Sequence, residues 1–335
     1  MDETSVDFLI LGQGFSGCAM AFELEKLNKS YIIIDNPDAF SSSKFAVGLV
    51  NPVTGRRMAK TWNWDEIYPI ATEFYKKTFE IMHEKAGTFL TPKPIYKALF
   101  SIEETNFLTA KSAGIGFENL IETFSFEEKS FPAVFKGTKF WTEIKMGGRL
   151  DPTFYLDSCT SYFKQQNKIR FENIELAKFE KNQYGWKYGK IQASNIISCL
   201  GLGCPWIGKD FWPNKGQVYE VEGFPYWGDQ VLKTDVYIVP LENGKYLIGS
   251  TYEREFENTE PDKAGWDAII KDLNPEFLKG LKVTKSWAGL RPTNQERRPF
   301  IDKLDENLFA INGLGTKGVS LSPFAASTLM ERFFK

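Results

Sequence analysis

Histidine is nearly absent from this 335-residue chain: there is one, His83. A Ser-His-Asp triad or a histidine-rich metal site therefore has almost no raw material. His83 itself falls in a run that reads as an amphipathic surface helix. Cysteine is also scarce. Cys18, Cys159, Cys199 and Cys204 show no CxxC pair and no zinc spacing. They read as reduced thiols of a cytoplasmic protein, and no metal is expected. No apolar run reaches the roughly 18 residues of a membrane span. The acidic start, MDETSVDFLILG, lacks the basic segment and small-residue cleavage site of a signal peptide. Neither sign of charge is in surplus: the net charge is -2, which argues against a nucleic-acid or anionic-membrane partner. The length suits two domains, and 29 phenylalanines suggest a ring-rich core or pocket.

What is present begins with a βαβ pattern. Residues 6–11 (VDFLIL) form a buried-type strand, residues 12–17 (GQGFSG) a glycine loop, residues 18–27 a helix, and residues 31–35 (YIIID) a second buried strand. Such runs imply a parallel sheet. Each glycine of the loop has a backbone task. Gly12 makes the tight turn, Gly14 lets the main chain approach a pyrophosphate, and Gly17 lets helix and strand pack closely. Phosphates would lie at the helix N-terminus, beside Phe15 and Ser16, among free N–H groups and the positive end of the dipole. Asp35 closes the second strand, where a carboxylate can accept from ribose hydroxyls. Dinucleotide binding follows, but the loop alone does not separate NAD from FAD.

Farther along, residues 63–86 read as a helix, with Asn63 and Glu66 as a capping box and Gly87 as the stop. Residues 133–135, 139–146, 169–175 and 195–199 read as strands, and Asp151-Pro152 opens another helix. Residues 236–241 and 246–252 read as a hairpin, closed by Asn243-Gly244 in a type I′ turn. Residues 308–312 read as a strand, 313–318 as a glycine loop, and the rest as a helix to Phe334. The stretch WAGLRPT (residues 287–293) reads as packed interior or turn around one permanent cation, Arg291. Its neutralising partner is either internal, such as Glu296 or Asp302, or something the protein binds. The expected fold is α/β, α+β overall. A Rossmann-like parallel-sheet domain (1–87, 149–214 and 286–335) is interrupted by an antiparallel-sheet substrate domain (88–148 and 215–285).

Four stretches taken in order carry a resemblance: the 6–35 unit, SSSKFAVGLVNPVT (41–54), NIISCLGLG (195–203), and the C-terminal WAGLRPTNQERRPF with NGLGTKGVSLSPF. Together they resemble the D-amino-acid-oxidase (DAO) family of FAD-dependent oxidoreductases. Within it the chain looks most like the glycine oxidase branch and the flavin domain of the tRNA wobble-uridine modification enzyme. The resemblance spans nearly the whole chain and is strongest at 6–55 and 236–325.

The resemblance implies extended FAD, bound non-covalently because no cysteine stands at an obvious attachment position. Ser42, Ser43, Ala46 and Gly48 match the segment along the pyrophosphate and ring. Ile174 matches a backbone contact to adenine. Cys199, Gly201 and Gly203 match the strand-turn packed on the dinucleotide. Gly313, Gly315, Thr316, Lys317 and Gly318 match the loop beneath the flavin pyrimidine. Read physically, glycines there admit a flat ring, while a helix N-terminus and Lys317 would support negative charge on reduced flavin. The resemblance makes Arg291 the two-point partner of a substrate carboxylate, and Tyr237 a second substrate contact, with a ring in the sheet core as its alternative. Tyr252 is a weaker candidate.

The chain departs from glycine oxidases where Thr316 stands in place of a second arginine, with Lys317 beside it. That puts glycine itself in doubt as substrate. Arg149 reads as structural and Arg56-Arg57 as a solvated loop. The implied reaction is oxidation of a C–N bond in a small amino acid or amine, with dioxygen or another electron acceptor. The protein would be a monomer or a homodimer. A nucleotide-linked amine substrate, an NAD-dependent dehydrogenase and a non-catalytic flavin binder are the alternatives.

Overall fold

A computed structural model of the chain describes residues 3–36, 41–55, 57–83, 87–125, 134–207, 211–224 and 228–335. Its first layer is a sheet with a parallel centre. The strands Ile169–Phe171, Tyr31–Asp35, Thr4–Leu11, Ile191–Ser198 and Leu308–Asn312 lie side by side in that order. The strand Ile191–Ser198 is shared. One edge runs along Thr4–Leu11. The other is split between an antiparallel strand, Gly185–Tyr188, and the parallel strand Leu308–Asn312.

Both faces of this sheet are covered, which is why the strand sequences read as unbroken apolar runs. Phe8, Ile10 and Ile33 belong to one core cluster, shared with the helices Phe15–Lys26, Pro152–Gln165 and Gly318–Phe334. Their neighbours Leu9, Leu11, Ile32 and Ile34 belong to a second cluster with Trp186 and Tyr188. The alternation is the two-residue period of a strand.

The second layer is an eight-stranded sheet. Its strands, in spatial order, are Lys282–Thr293, Trp212–Glu222, Tyr246–Gly249, Tyr237–Pro240, Val231–Lys233, Ile95–Leu99, Phe140–Ile144 and Ile121–Ser125. All pairings are antiparallel except Val231–Lys233 with Ile95–Leu99, which joins the two chain segments in parallel. Leu232, Ile238, Tyr246 and Ile248 form its core with Ile269 from the helix Lys263–Ile270. A small sheet of Leu49–Val50, Gly148–Leu150 and Leu90–Pro92 brackets the first of these segments, with Leu90–Pro92 before it and Gly148–Leu150 after it in sequence.

Several local expectations need correction. WAGLRPT is not a turn: it ends the twelve-residue strand Lys282–Thr293, paired with Trp212–Glu222 through Arg291↔Asn214. The strand Trp212–Glu222 continues through 214/215, and Lys282–Thr293 through 285/286.

Asn63 does not form a capping box. Its φ is +49°, and its side-chain amide donates to the Glu66 carboxylate, whereas the motif needs an extended residue whose side chain accepts. The helix runs Trp64–His83, and residues 84–86 lie outside the described residues.

The hairpin closes through a 3-10 turn, Glu242–Gly244. With Pro240 opposite Tyr246, five residues connect the strands instead of two. The first helix starts at Phe15, the strand expected over 139–146 is Phe140–Ile144, and that over 169–175 is Ile169–Phe171. Of the strand expected over 133–135, Ala133 is outside the described residues and Phe135 makes an isolated bridge to Leu273.

Candidate active site

Where the strand Thr4–Leu11 ends, the chain turns through Gly12 at φ +94°. A Cβ at Gly12 would lie 2.9 Å from the Cys199 carbonyl oxygen, and one at Gly17 only 1.9 Å from the Gly12 carbonyl oxygen. Larger residues would therefore push apart the first strand, the first helix and the 199–203 turn. Gly14 precedes the helix Phe15–Lys26, and no side chain of the cap residue satisfies its N-terminus. The Phe15 N–H donates to Ser43 Oγ at 3.1 Å, which draws the 41–48 segment against the helix start. Asp35 Oδ1 accepts from the Gln13 N–H at 2.9 Å, clamping the second strand to the loop. Cys199 N–H donates to the Leu11 carbonyl at 2.8 Å, and Asn312 Nδ2 to the Gly201 carbonyl at 2.9 Å, so the 199–203 turn is held from both sides.

The second helix N-terminus, at Gly318, abuts the first. Its cap residue Lys317 makes no side-chain cap bond. A Cβ at Gly318 would lie 3.3 Å from the Phe15 ring, and Ser16 Oγ stands 3.4 Å from Ser322 Oγ. Gly315 N–H donates to the Pro292 carbonyl at 3.1 Å, tying this loop to the Arg291 strand. Burial pushes the Lys317 ammonium below its ordinary pKa, and Arg297 adds to the shift.

Arg291 is partly buried. Its Nη1 donates to Asn214 Oδ1 at 2.9 Å and to the Thr251 carbonyl at 3.3 Å, and its Nη2 to Ser250 Oγ at 2.5 Å. All three acceptors are neutral. Among the described residues Arg291 forms no salt bridge, and Asp302, the internal partner weighed above, faces Arg332 at 3.7 Å. Burial pulls the Arg291 pKa down to about 10, opposed by Tyr252 and Glu253, so it remains a cation at neutral pH.

Asn51 orients Tyr237. Asn51 Oδ1 accepts from the Val53 N–H at 3.0 Å, which leaves its Nδ2 to donate to the Tyr237 oxygen at 2.9 Å. The phenol is thus an acceptor toward Asn51 and keeps its own O–H for another group. Burial raises the Tyr237 pKa, so that proton stays in place.

These features share one cavity of about 920 Å³. Its wall includes Gly12, Gly14, Phe15, Ser16, Asp35 and Ile174, then Ser42, Ser43, Ala46, Gly48, Cys199, Gly201 and Gly203, and also Tyr237, Arg291, Gly315, Thr316, Lys317 and Gly318. The volume falls within the range of small-molecule and cofactor sites. Gly17 and Gly313 are not among the lining residues. Gly17 packs on the Gly12 carbonyl, and a Cβ at Gly313 would meet Asn294 and Phe211 at 2.8 Å. Tyr252 lines the cavity but is 54% exposed.

Arg149 lies outside this wall, bonded to Asp151, whose other oxygen caps the helix Pro152–Gln165. Arg57 is exposed, and Arg56 lies outside the described residues.

Sequence reasoning missed Asn51, Asn214, Gly216, Lys233 and Ser250. None of the five carried a readable signal: Gly216, for one, stands between Lys215 and Gln217, outside any apolar strand pattern.

An elongated group with a pyrophosphate fits this cavity. Its glycines admit backbone contact, two helix N-termini open on it, and the Asp35 carboxylate stands in its wall.

Comparison with known proteins agrees. The family model described as DAO, FAD dependent oxidoreductase, matches residues 7–332. Glycine oxidase of Bacillus subtilis (strain 168) is 23% identical over 355 residues, covering 96% of this chain and 91% of that one. In fold the chain is similar to glycine oxidase from Geobacillus kaustophilus, with TM-score 0.78, 18% identity and 98% and 95% of the two chains covered. It is also similar to iminodiacetate oxidase from Chelativorans sp. BNC1, with TM-score 0.76, 18% identity and 96% and 94% covered. The match over nearly the full length, on a chain that folds into this cradle, shows that the protein belongs to the DAO family of FAD-dependent oxidoreductases.

Proposed function

We propose that the chain oxidises the C–N bond of a small amino acid or amine: the carbon bearing a neutral amine gives up a hydride, and water then hydrolyses the imine. When bound, FAD would supply the two-electron acceptor for that hydride, with dioxygen or another oxidant as the final acceptor. The observation that carries this reading is Arg291, a cation whose partners among the described residues are all neutral, in a cavity that also holds the glycine turn and Asp35. A planar guanidinium matches a carboxylate bidentately, so the missing counter-ion is the substrate's.

In this reading each group has a task. Gly12, Gly14, Phe15, Ser16 and Gly17 form the pyrophosphate turn, Asp35 accepts from the ribose, and Ile174 lies by the adenine. Ser42, Ser43, Ala46, Gly48, Cys199, Gly201 and Gly203 line the middle of the cofactor. Gly315, Thr316, Lys317 and Gly318 underlie the ring, with Gly313 turning the loop behind them, and the cation of Lys317 and the helix dipole favour added negative charge there. Arg291 and the free O–H of Tyr237 hold the substrate carboxylate, which fixes the reacting carbon. Binding is non-covalent in this reading, because no cysteine stands at an obvious attachment position.

The parallel-sheet layer serves as the FAD domain and the antiparallel layer as the substrate domain. Among the described residues no helix is long and apolar enough to cross a membrane. The four thiols are free, which suits a cytoplasmic enzyme.

Visible absorbance of the anaerobic protein, before and after glycine, sarcosine, proline and D- and L-amino acids, tests the reading. Bleaching by one compound, lost in Arg291→Ala, supports it. Flavin that no amine bleaches sinks it.

A further inference from the structure

Lys233 ends the short strand Val231–Lys233 and is 6% exposed, yet it lines the cavity. Its Nζ donates to the Thr234 carbonyl at 2.8 Å and stands 4.8 Å from the centre of the Tyr237 ring. An ammonium has three donors, and among the described residues only one is used. Among the described residues Lys233 forms no salt bridge.

A second buried lysine shows what a structural one looks like in this protein. Lys215 is 1% exposed and has Asp262 at 3.1 Å and Glu253 at 3.8 Å. It stands behind the site and does not line the cavity. Two charged groups bear on Lys233. Asp235 supports its charge, and Lys97, its partner on the parallel strand, opposes it. Burial is the larger effect and pulls its pKa to about 8. An unpaired buried ammonium is costly unless something compensates it.

The sheet gives Lys233 a fixed relation to Arg291. Lys233 is paired with Tyr237, Tyr237 with Gly249, and the next residue, Ser250, accepts from Arg291. Two strand steps, ~10 Å of sheet, separate the Lys233 backbone from the strand on which the guanidinium rests. Tyr237 lies between the two cations.

We propose that Lys233 binds a second anionic group of the substrate, so that this site takes small amino acids carrying two carboxylates, one held by Arg291 and Tyr237 and the other by Lys233. The inference rests on the substrate role of Arg291 given above and narrows it. The neutral acceptors around Arg291 leave room for one carboxylate, and Lys233 offers a separate pair of unused donors.

Titration calorimetry of the FAD-loaded protein with unreactive acids tests it. Succinate and glutarate are compared with propionate and butyrate, at Kd values measured in the same buffer. The dicarboxylates should bind at least ~10-fold tighter, the gain from one added charge-assisted contact. Lys233→Met should erase that margin while leaving the monocarboxylates unchanged, and Lys233→Arg should keep it. Equal binding of mono- and dicarboxylates overturns the proposal, and needs no variant to be seen. So does a Lys233→Met protein in which both classes weaken alike, since Lys233 would then only support Tyr237.

Anaerobic bleaching by aspartate and glutamate against asparagine and glutamine separates the two readings. A dicarboxylate margin without bleaching by any amine leaves this site standing and sinks amine oxidation. Bleaching by neutral amino acids with no margin does the reverse.

Discussion

The guanidinium of Arg291 lies flat against the backbone of Gly216: a Cβ at Gly216 would stand 1.9 Å from its Nη2 and 2.4 Å from its Cζ. Gly216 sits at the centre of the strand Trp212–Glu222, paired with Gly289 across the sheet. Gly216 clears the slot into which the side chain of Arg291 folds, while Gly289 makes room for Phe45. Gly216→Ala should therefore expel the guanidinium from its contacts with Asn214 and Ser250. The expected result is a fall in kcat/KM on the order of 100-fold, from about 3 kcal/mol of lost charge-assisted bonding. Flavin content, read from visible absorbance, should be unchanged. A variant with normal kcat/KM would mean that Arg291 does not hold the substrate.

The nucleotide end should fail in the opposite way. Gly17→Ala puts a methyl 1.9 Å from the Gly12 carbonyl oxygen, and backbone cannot swing aside as a side chain can. The helix Phe15–Lys26 must then back away from the strand that carries the loop. The purified variant should contain little FAD. Its affinity for added FAD should drop by at least ~10-fold, measured by fluorescence quenching on titration.

Lys317 should set how easily the flavin is reduced. It is a partly buried cation at the start of the helix Gly318–Phe334, so its charge adds to the positive end of the dipole. Lys317→Met should lower the two-electron midpoint potential. The expected shift is about 1 kcal/mol, or roughly 20 mV, found by dye equilibration during anaerobic reduction. Substrate affinity should change less than the potential.

Lys233 carries a pH signature in stability. Its folded pKa is about 8, against an ordinary 10.5. The folded protein therefore holds this proton less tightly than the unfolded chain. The cost of burying the ammonium is full below pH 8 and is relieved as pH rises from 8 toward 10.5. Relief is bounded at ~3 kcal/mol. Denaturant unfolding of wild type and Lys233→Met at pH about 7 and about 10 should show the variant's advantage shrinking at the higher pH. A constant gap would mean that the ammonium is not desolvated.

The glycine loop and the strands around it were legible because a βαβ unit is local. The strand, the turn and the helix that it opens lie within some thirty residues, and each glycine answers a steric demand made by near neighbours. The buried faces were legible for the same kind of reason, since apolar runs record burial on both sides of a parallel sheet.

Failures came where a residue's conformation depends on more than its type. Asn63 has the composition of a cap but a left-handed backbone. Asn243-Gly244 has the composition of a two-residue turn but sits in a longer 3-10 connection.

From the sequence alone one could name the cations, glycines and rings of this protein, and order them along the chain. Which charges are paired was decided by tertiary structure. Arg291 takes its acceptors from residues 77, 40 and 41 positions away, and Lys215 finds its carboxylate Asp262 47 positions away. Lys233 reads in the sequence as any other lysine, and only the fold shows that it is buried with no salt-bridge partner among the described residues. Charge pairing is a matter of a few ångströms, and strand register sets those distances between segments that the sequence keeps far apart.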